Sequence, residues 1–324
     1  MRNILTTTSV MATLAAMLAM AGLTGSVRAP AHAADLYRFA IVPKAMNNPY
    51  FDLARDGCEA EAKKLGVTCT YTGPVEQDPA AQVQIIQDLI SQHVDGIAIS
   101  VADAASVKRV IHQARQAGIV VITFDADSPD SERQAYVGTD NAALGRALGQ
   151  MLLKAHPKPG PFAIVSGGPA AANLAQRVEG VRAVLKPAGW TEIGGSPTFC
   201  NDDSALAVQQ MTDLMTANPS LAAIVPVGGW PLFTQGAFTG FVNSHKQAIT
   251  SGSFSIVSAD TLPVELHALQ VGQVSGLVGQ RPREMGEKAV DIMLALKKGQ
   301  AQPITTYAGL DEVTKENVAR FAKP

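Results

Sequence analysis

The run Gly96-Ile97-Ala98-Ile99-Ser100, the helical stretch Ser106–Ala117 closed by Gly118, and the run Ile119-Val120-Val121-Ile122-Thr123-Phe124-Asp125 decide the fold. Both apolar runs have strand length, and neither alternates with polar residues. A strand of this kind is buried on both faces, as in a parallel sheet covered by helices. The same unit repeats in both directions. Upstream come Phe39–Pro43, the periodic Asn48–Leu65 ended by Gly66, Val67–Tyr71, and Pro79–Gln92 with Val83, Ile86, Leu89 and Ile90 on one face. Downstream the alternation resumes with the helix Asn141–Ala155, broken by Pro157-Lys158-Pro159-Gly160. It continues through strands at Phe162–Ser166, Thr191–Phe199, Leu221–Pro226, Phe254–Ala259 and Val274–Gly279. The helices between them are Ala172–Ala188, Ser204–Ala217, Leu232–Asn243 and Pro263–Gln270; Arg283–Lys298 follows, and the tail Asp311–Ala322 is expected to be one more helix. Right-handed crossovers turn two successive sets of βα units into an α/β fold with two similar doubly wound parallel-sheet lobes.

The chain has 324 residues, 47% of them hydrophobic and 17% charged, with 26 Lys+Arg against 28 Asp+Glu. That balance excludes intrinsic disorder as the main state. It lacks the basic surplus of a nucleic-acid module, and none is expected as a partner. The length suits about two domains. Met1 to Ala33 has the pattern of a secretory signal peptide: Arg2, then an uncharged apolar run from Ile4 to Leu23, then Ala31-His32-Ala33 as a small-x-small cleavage site. An uncleaved anchor is the alternative. Cleavage after Ala33 removes Arg2 and Arg28 and no acid, leaving 24 basic and 28 acidic residues and a net charge of −4. A periplasmic location is expected. Disulfides persist in exported chains. Cys58 lies in the first helix and Cys69 in the following strand, so a Cys58–Cys69 bridge is expected, the alternative being two buried thiols.

In open α/β sheets, ligands bind outside the carboxyl ends of the strands. There the sequence places Asn47-Asn48-Pro49-Tyr50-Phe51, Ser100–Asp103, Asp125-Ala126-Asp127, Ser166–Arg177, Val227-Gly228-Gly229-Trp230-Pro231, Asp260 and Gln280. Asn48 can cap a helix with Pro49 at its first position, yet two adjacent aromatics cannot easily both face a core. Rings beside amides and carboxylates suit a ligand with apolar CH faces and a hydroxyl rim. Asp125, Asp127 and Asp260 can accept hydroxyl pairs in charge-assisted bonds. Gln280 can donate and accept at once, and Arg177 offers a fork of donors, or else a surface ion pair. Trp230 on a glycine-rich loop is either a lid over a ligand or a plug in the core.

An enzyme reading finds little. There is no Gly-x-Gly-x-x-Gly after a strand, Walker loop, His-Glu-x-x-His or Gly-x-Ser-x-Gly. Asp125 and Asp127 come from one strand end and cannot flank a glycosidic bond. The six His are scattered and no calcium loop is present, so no cofactor or metal is expected.

Read in order, Asn47-Asn48-Pro49-Tyr50-Phe51, Gly96–Ser100, Ile122-Thr123-Phe124-Asp125, Gly138-Thr139-Asp140-Asn141, Arg177-Val178-Glu179-Gly180, Ser258-Ala259-Asp260 and Gly279-Gln280 resemble the periplasmic sugar-binding proteins of ABC importers, the type I, ribose-binding-protein-like family. The resemblance covers essentially all of the chain after residue 33. It implies that Asn48, Tyr50, Phe51, Ser100, Asp125, Arg177, Asp260 and Gln280 line a sugar cleft. It implies three crossings, at Thr139-Asp140, Gln280 and Ala308-Gly309, as a three-segment hinge between an N-terminal lobe of residues 35–139 plus 281–308 and a C-terminal lobe of 140–280 plus 309–324. It also implies hinge closure on a monosaccharide or polyol and engagement of a membrane permease by a monomer. Docking to a chemoreceptor is an option that the sequence leaves open. Three departures argue against strict ribose specificity: Ala126 replaces the Arg that follows the strand-end Asp in the ribose pattern, Lys44 lies in a longer first loop, and Gly228-Gly229-Trp230 replaces Asn-Asp. The Pro43-Lys44, Asp125-x-Asp127 and Pro226 features look closer to rhamnose-type and autoinducer-2 receptors, although Asn173-Leu174 departs from the Asp-Gln pair of the latter. An autoinducer-2-like receptor is the nearest alternative, and a sugar-acting enzyme a more distant one.

Overall fold

The computed structural model describes residues 37–321, so the expected signal peptide and its cleavage site lie outside the described residues. The first part of the chain runs β1 (Arg38–Val42), α1 (Tyr50–Leu65), β2 (Thr68–Tyr71), α2 (Pro79–Ser91), β3 (Gly96–Ile99), α3 (Lys108–Gln116), β4 (Val120–Phe124) and β5 (Tyr136–Gly138). Next come α4 (Asn141–Ala155), β6 (Pro161–Ser166), α5 (Ala172–Leu185), β7 (Thr191–Glu192), β8 (Thr198–Phe199), α6 (Ser204–Ala217) and β9 (Ala223–Pro226). After them follow α7 (Trp230–Phe233), α8 (Gln235–Ser244), α9 (Lys246–Ser251), β10 (Ser255–Ala259), α10 (Pro263–Gln270) and β11 (Gly276–Gly279). The chain closes with α11 (Pro282–Lys297), β12 (Thr305–Tyr307), β13 (Asp311–Val313) and a 3-10 turn at Val318–Arg320.

These strands form two sheets. The first, ordered β12-β5-β4-β3-β1-β2, is parallel throughout. The second runs β13-β11-β10-β9-β6-β7, with β8 also beside β6, and β13 is its antiparallel edge. Period-two alternation explains the coverage of the first sheet. Phe39 and Ile41 of β1 pack with Phe51, Ala54, Met285 and Met293 of α1 and α11. Ala40 and Val42 pack on the other face with Ile86, Leu89, Val110 and Ile111 of α2 and α3. The second sheet is clothed in the same way by α4, α5, α6 and α8.

Local chemistry sets the element ends. Asp78 caps α2 through Ala80 N and Ala81 N with Pro79 at the first turn, and Asp140 caps α4 through Ala143 N. α1 stops at Gly66, whose φ is 69°. A disulfide joins Cys58 of α1 to Cys69 of β2, with Cα atoms 6.1 Å apart; Cys200 is a buried free thiol. The helices α4 and α5 approach so closely at Gly145 that a Cβ there would overlap the carbonyl oxygen of Arg177.

The chain passes between the sheets three times: from β5 to α4, from β11 to α11, and from β12 to β13. The crossings lie side by side. Thr139 Oγ1 donates to Gln280 Oε1 at 2.8 Å, and Ala308 N donates to Gly138 O at 2.7 Å.

Four expectations need correction. The tail is an edge strand and a 3-10 turn instead of a helix, because Val313 completes a sheet and buries its side chain there. Thr191–Phe199 is two short strands separated by Gly194-Gly195 and a cis Ser196-Pro197 bond. The helix expected at Leu232–Asn243 is two, broken at Thr234, and α9 follows. The three-residue strands β5 and β12, absent from the sequence reading, add an edge to the first sheet.

Candidate functional site

A small cavity lies between the two sheets. On the first-sheet side its wall carries Lys44, Asn48, Tyr50, Phe51 and Asp125. On the second-sheet side it carries Asn173, Leu174, Arg177, Asp202, Gly228, Trp230 and Asp260, and Gln280 lies at a crossing between the two. Every group comes from a strand end or the first turns of the following helix, where backbone amides and side chains converge.

Arg177 organises the floor. It is 2% exposed, and each of its donor nitrogens has an acceptor. Nε donates to Asn141 Oδ1 at 2.8 Å, Nη1 to Val227 O at 3.0 Å, and Nη2 to Gln280 Oε1 at 2.7 Å. Nη2 also lies 3.9 Å from Asp125 Oδ1. Gln280 passes the network on, its Nε2 donating to Asp260 Oδ1 at 2.7 Å, while Gly229 N donates to Asp260 Oδ2 at 3.0 Å. Asp125 is held differently. Ser100 Oγ donates to its Oδ2 at 2.6 Å, Lys44 Nζ stands 3.7 Å from the same oxygen, and Tyr136 OH donates to its backbone carbonyl at 2.9 Å.

Asp125 and Asp260 both have left-handed backbone, with φ of 56° and 75°. Such conformations cost on the order of 1–3 kcal/mol each and cluster where a side chain must be aimed. Burial raises the Asp260 carboxyl above the usual carboxylate range, against the pull of Arg177, Gln280 and the Gly229 amide. Burial, with the Asp125 and Asp260 charges, raises the Tyr50 hydroxyl well above its ordinary value. Tyr50 and Phe51 meet edge to face with centroids 5.1 Å apart, and both rings reach the cavity while packing against the core. Trp230, 4% exposed, does the same from the other side.

Among the residues expected in the cleft, Lys44, Asn48, Tyr50, Phe51, Asp125, Arg177, Trp230, Asp260 and Gln280 are brought together. Ser100 is not in the wall; it is fully buried behind Asp125, whose carboxylate it steadies. Asp127 is outside the cavity, because Arg133 takes its carboxylate at 2.7 and 2.8 Å, and it faces a separate groove beside Tyr136 and Thr305. Asp202 and Gln82 went unnoticed in the sequence. Buried Gln82 donates to Pro43 O and Ser100 O and accepts from Ala102 N, fixing two of the strand-end loops. The strand-end rule, extended to the segment after Phe199, points directly at Asp202.

No group of three or more His, Cys, Asp or Glu placed to hold a metal ion occurs among the described residues. The donors and acceptors instead face one another across a small polar cavity with aromatic walls.

The periplasmic binding protein domain family matches residues 39–301. The D-allose-binding periplasmic protein of Escherichia coli is 26% identical over 82% of this chain and 86% of its own length. The ribose import binding protein of the same organism is 25% identical over 89% and 93%. Among solved structures, an ABC transporter solute-binding protein from Burkholderia graminis in complex with D-arabinose is 34% identical and superposes with a TM-score of 0.80, covering 89% of this chain and 98% of that one. A glucose-galactose binding protein from Geobacillus stearothermophilus is 28% identical with a TM-score of 0.79, over 87% and 99%. These relatives are named for binding or transport, none for a reaction. With a matched span that takes in the whole cavity wall and all of both sheets but their edge strands β12 and β13, the chain belongs to the periplasmic binding protein family, as a ribose-binding-protein-like type I member.

Proposed function

We propose that this chain is an exported solute-binding protein that captures a small carbohydrate, a monosaccharide or polyol, and delivers it to the permease of an ABC importer. One observation carries the reading: a single small cavity takes acids, amides, cations and aromatic rings from both sheets at once. The rings of Tyr50, Phe51 and Trp230 match the CH faces of a sugar, and Asp125, Asp260 and Asn48 match its hydroxyl rim. The sugars for which the relatives are named support the same class.

In this proposal the lobes are residues 35–139 plus 281–308 and residues 140–280 plus 309–324, hinged at the three crossings. The ligand touches both walls only when they meet, so it binds the closed form more tightly. Turning a 1:99 population into 99:1 takes about 5.5 kcal/mol of differential binding, which a few charge-assisted hydrogen bonds at about 1.5–3 kcal/mol each can supply. A monomer suffices, since one chain furnishes both walls. The signal peptide would be removed after Ala33 and the protein would work in the periplasm.

A thermal-shift screen of aldoses, deoxysugars and polyols tests the reading. A ligand at about 100 times its dissociation constant stabilises the folded state by about 2.7 kcal/mol, which is readily seen as a raised melting temperature. The expected result is a shift with a few monosaccharides or polyols. A screen in which none of them shifts the wild-type protein would overturn the proposal.

A further inference from the structure

Asp202 stands in the cavity wall with a carboxylate that the protein leaves unsatisfied. The residue is 5% exposed, and its buried Oδ1 has no hydrogen-bond partner. The other two acids of the wall are occupied: Asp125 by Ser100 and Asp260 by Gln280 and Gly229 N. The two cations of the wall, Lys44 and Arg177, lie against Asp125 at 3.7 and 3.9 Å. Asp202 has no helix-capping duty either, because its neighbour Asp203 caps α6 by accepting from Leu206 N at 2.9 Å. The backbone at Asn201 and Asp202 is left-handed at both residues, with φ of 51° and 61°. A buried acceptor without a partner is costly, and natural proteins keep one mainly where something else will fill it.

The charge balance says what that is. The inner wall has three acids, Asp125, Asp202 and Asp260, against Lys44 and Arg177. On its other side Asp202 borders a recess lined by Asn47, Glu76, Gln77, Asn201 and Asp203, which contains no cation. An anionic group brought here would meet a carboxylate that no cation contacts directly, although Lys44 and Arg177 act on it across the cavity, in a poorly solvated site where like charges repel far more strongly than in water. A hydroxyl or ammonium group would supply the missing donor, in a bond strengthened by the charge.

We propose that Asp202 is a ligand-contacting, specificity-determining residue: its carboxylate accepts hydrogen bonds from hydroxyl or amino groups of the bound molecule, admitting neutral and amino sugars and turning away sugar acids and sugar phosphates. The proposal rests on the sugar-binding reading above. It adds which member of the wall sets the charge class of the ligand.

The test is calorimetric titration of wild type, Asp202→Asn and Asp202→Ala with D-ribose, D-allose, D-arabinose, D-glucosamine and D-glucuronate, together with the melting temperature of each unliganded protein. Asn tolerates left-handed backbone well, so Asp202→Asn keeps the fold. Wild type is expected to bind at least one neutral or amino sugar and to give no titration with D-glucuronate. In Asp202→Asn the affinity for that sugar falls at least tenfold, and D-glucuronate gives a measurable titration. The unliganded variant melts no lower than wild type, since it has lost only an unpaired buried carboxylate. Wild-type affinity and wild-type discrimination in Asp202→Asn overturn the assignment and leave the sugar-binding reading standing. A lowered melting temperature with unchanged discrimination makes Asp202 a structural residue and overturns it equally. If no sugar binds wild type at all, both proposals fall.

Discussion

Asp125 and Asp260 end β4 and β10, the matching strands of the two sheets, and both turn into the cavity on left-handed backbone. Their company differs. Asp125 sits among a hydroxyl and two cations, Ser100, Lys44 and Arg177. Asp260 is held by two neutral donors, the Gln280 amide and the Gly229 N–H, with a second buried carboxyl, Glu265, close by. The same backbone device thus aims one acid with two cations against it and another whose direct hydrogen-bond donors are neutral, while Arg177 acts on both. Two acids aimed alike can therefore grip a ligand from opposite sides with unequal electrostatics.

The sharpest way to break this contrast is to remove the group both acids share. Arg177→Ala takes away the guanidinium beside Asp125 and the partner of Gln280, which in turn holds Asp260. Removing one member of a buried ionic network costs about 3–5 kcal/mol. Urea unfolding is expected to show that loss, and calorimetry a drop in sugar affinity of roughly a hundredfold or more, about 2.7 kcal/mol. Next in size are Asp125→Ala and Asp260→Ala, each expected to weaken sugar binding at least tenfold while circular dichroism remains that of the folded protein. Wild-type affinity in either purified variant would remove that acid from the site.

A smaller effect probes the side poor in cations. Burial, followed by the Asp260 charge, raises the Glu265 carboxyl well above its ordinary value, against the single hydrogen bond its Oε2 accepts from Leu262 N at 2.6 Å. A carboxyl raised in the folded state contributes its full stability below the usual Glu value of about 4.3 and loses it as pH climbs through the raised value. Glu265→Gln keeps the acceptor for Leu262 N without the charge. Its melting temperature is expected to match wild type near pH 4 and to exceed it by about 1–2 °C near pH 8, the shift that about 1 kcal/mol produces in a chain of this size. A difference that stays flat across that range would mean that Glu265 carries no such penalty.

The long elements were legible because they are strongly patterned. Gly96–Ile99 and Val120–Phe124 are apolar but for the buried Thr123, and α4 runs over the very residues its periodicity marks. What stayed hidden is short or depends on pairing. Asp311-Glu312-Val313 reads as a polar tail until β11 is known to lie beside it, and Thr305-Thr306-Tyr307 has no core of its own to announce it. At the candidate site, strand-end chemistry pointed to Asp125, Asp260, Arg177 and Gln280, all of which line the cavity. It could not separate Asp127 from them, since only the fold reveals that Arg133 occupies its carboxylate. Ser100 was placed one layer too far forward for a similar reason: a hydroxyl at a strand end can touch a ligand or the residue that does.

The last crossing has a consequence for how the molecule is made. β12 is an edge strand of the first sheet and β13 an edge strand of the second, and only three residues separate them. Until they are made, β5 and β11 stand as the edges of their sheets, and such edges are templates for wrong pairings. Any truncation before residue 305 therefore strips an edge strand from both sheets together.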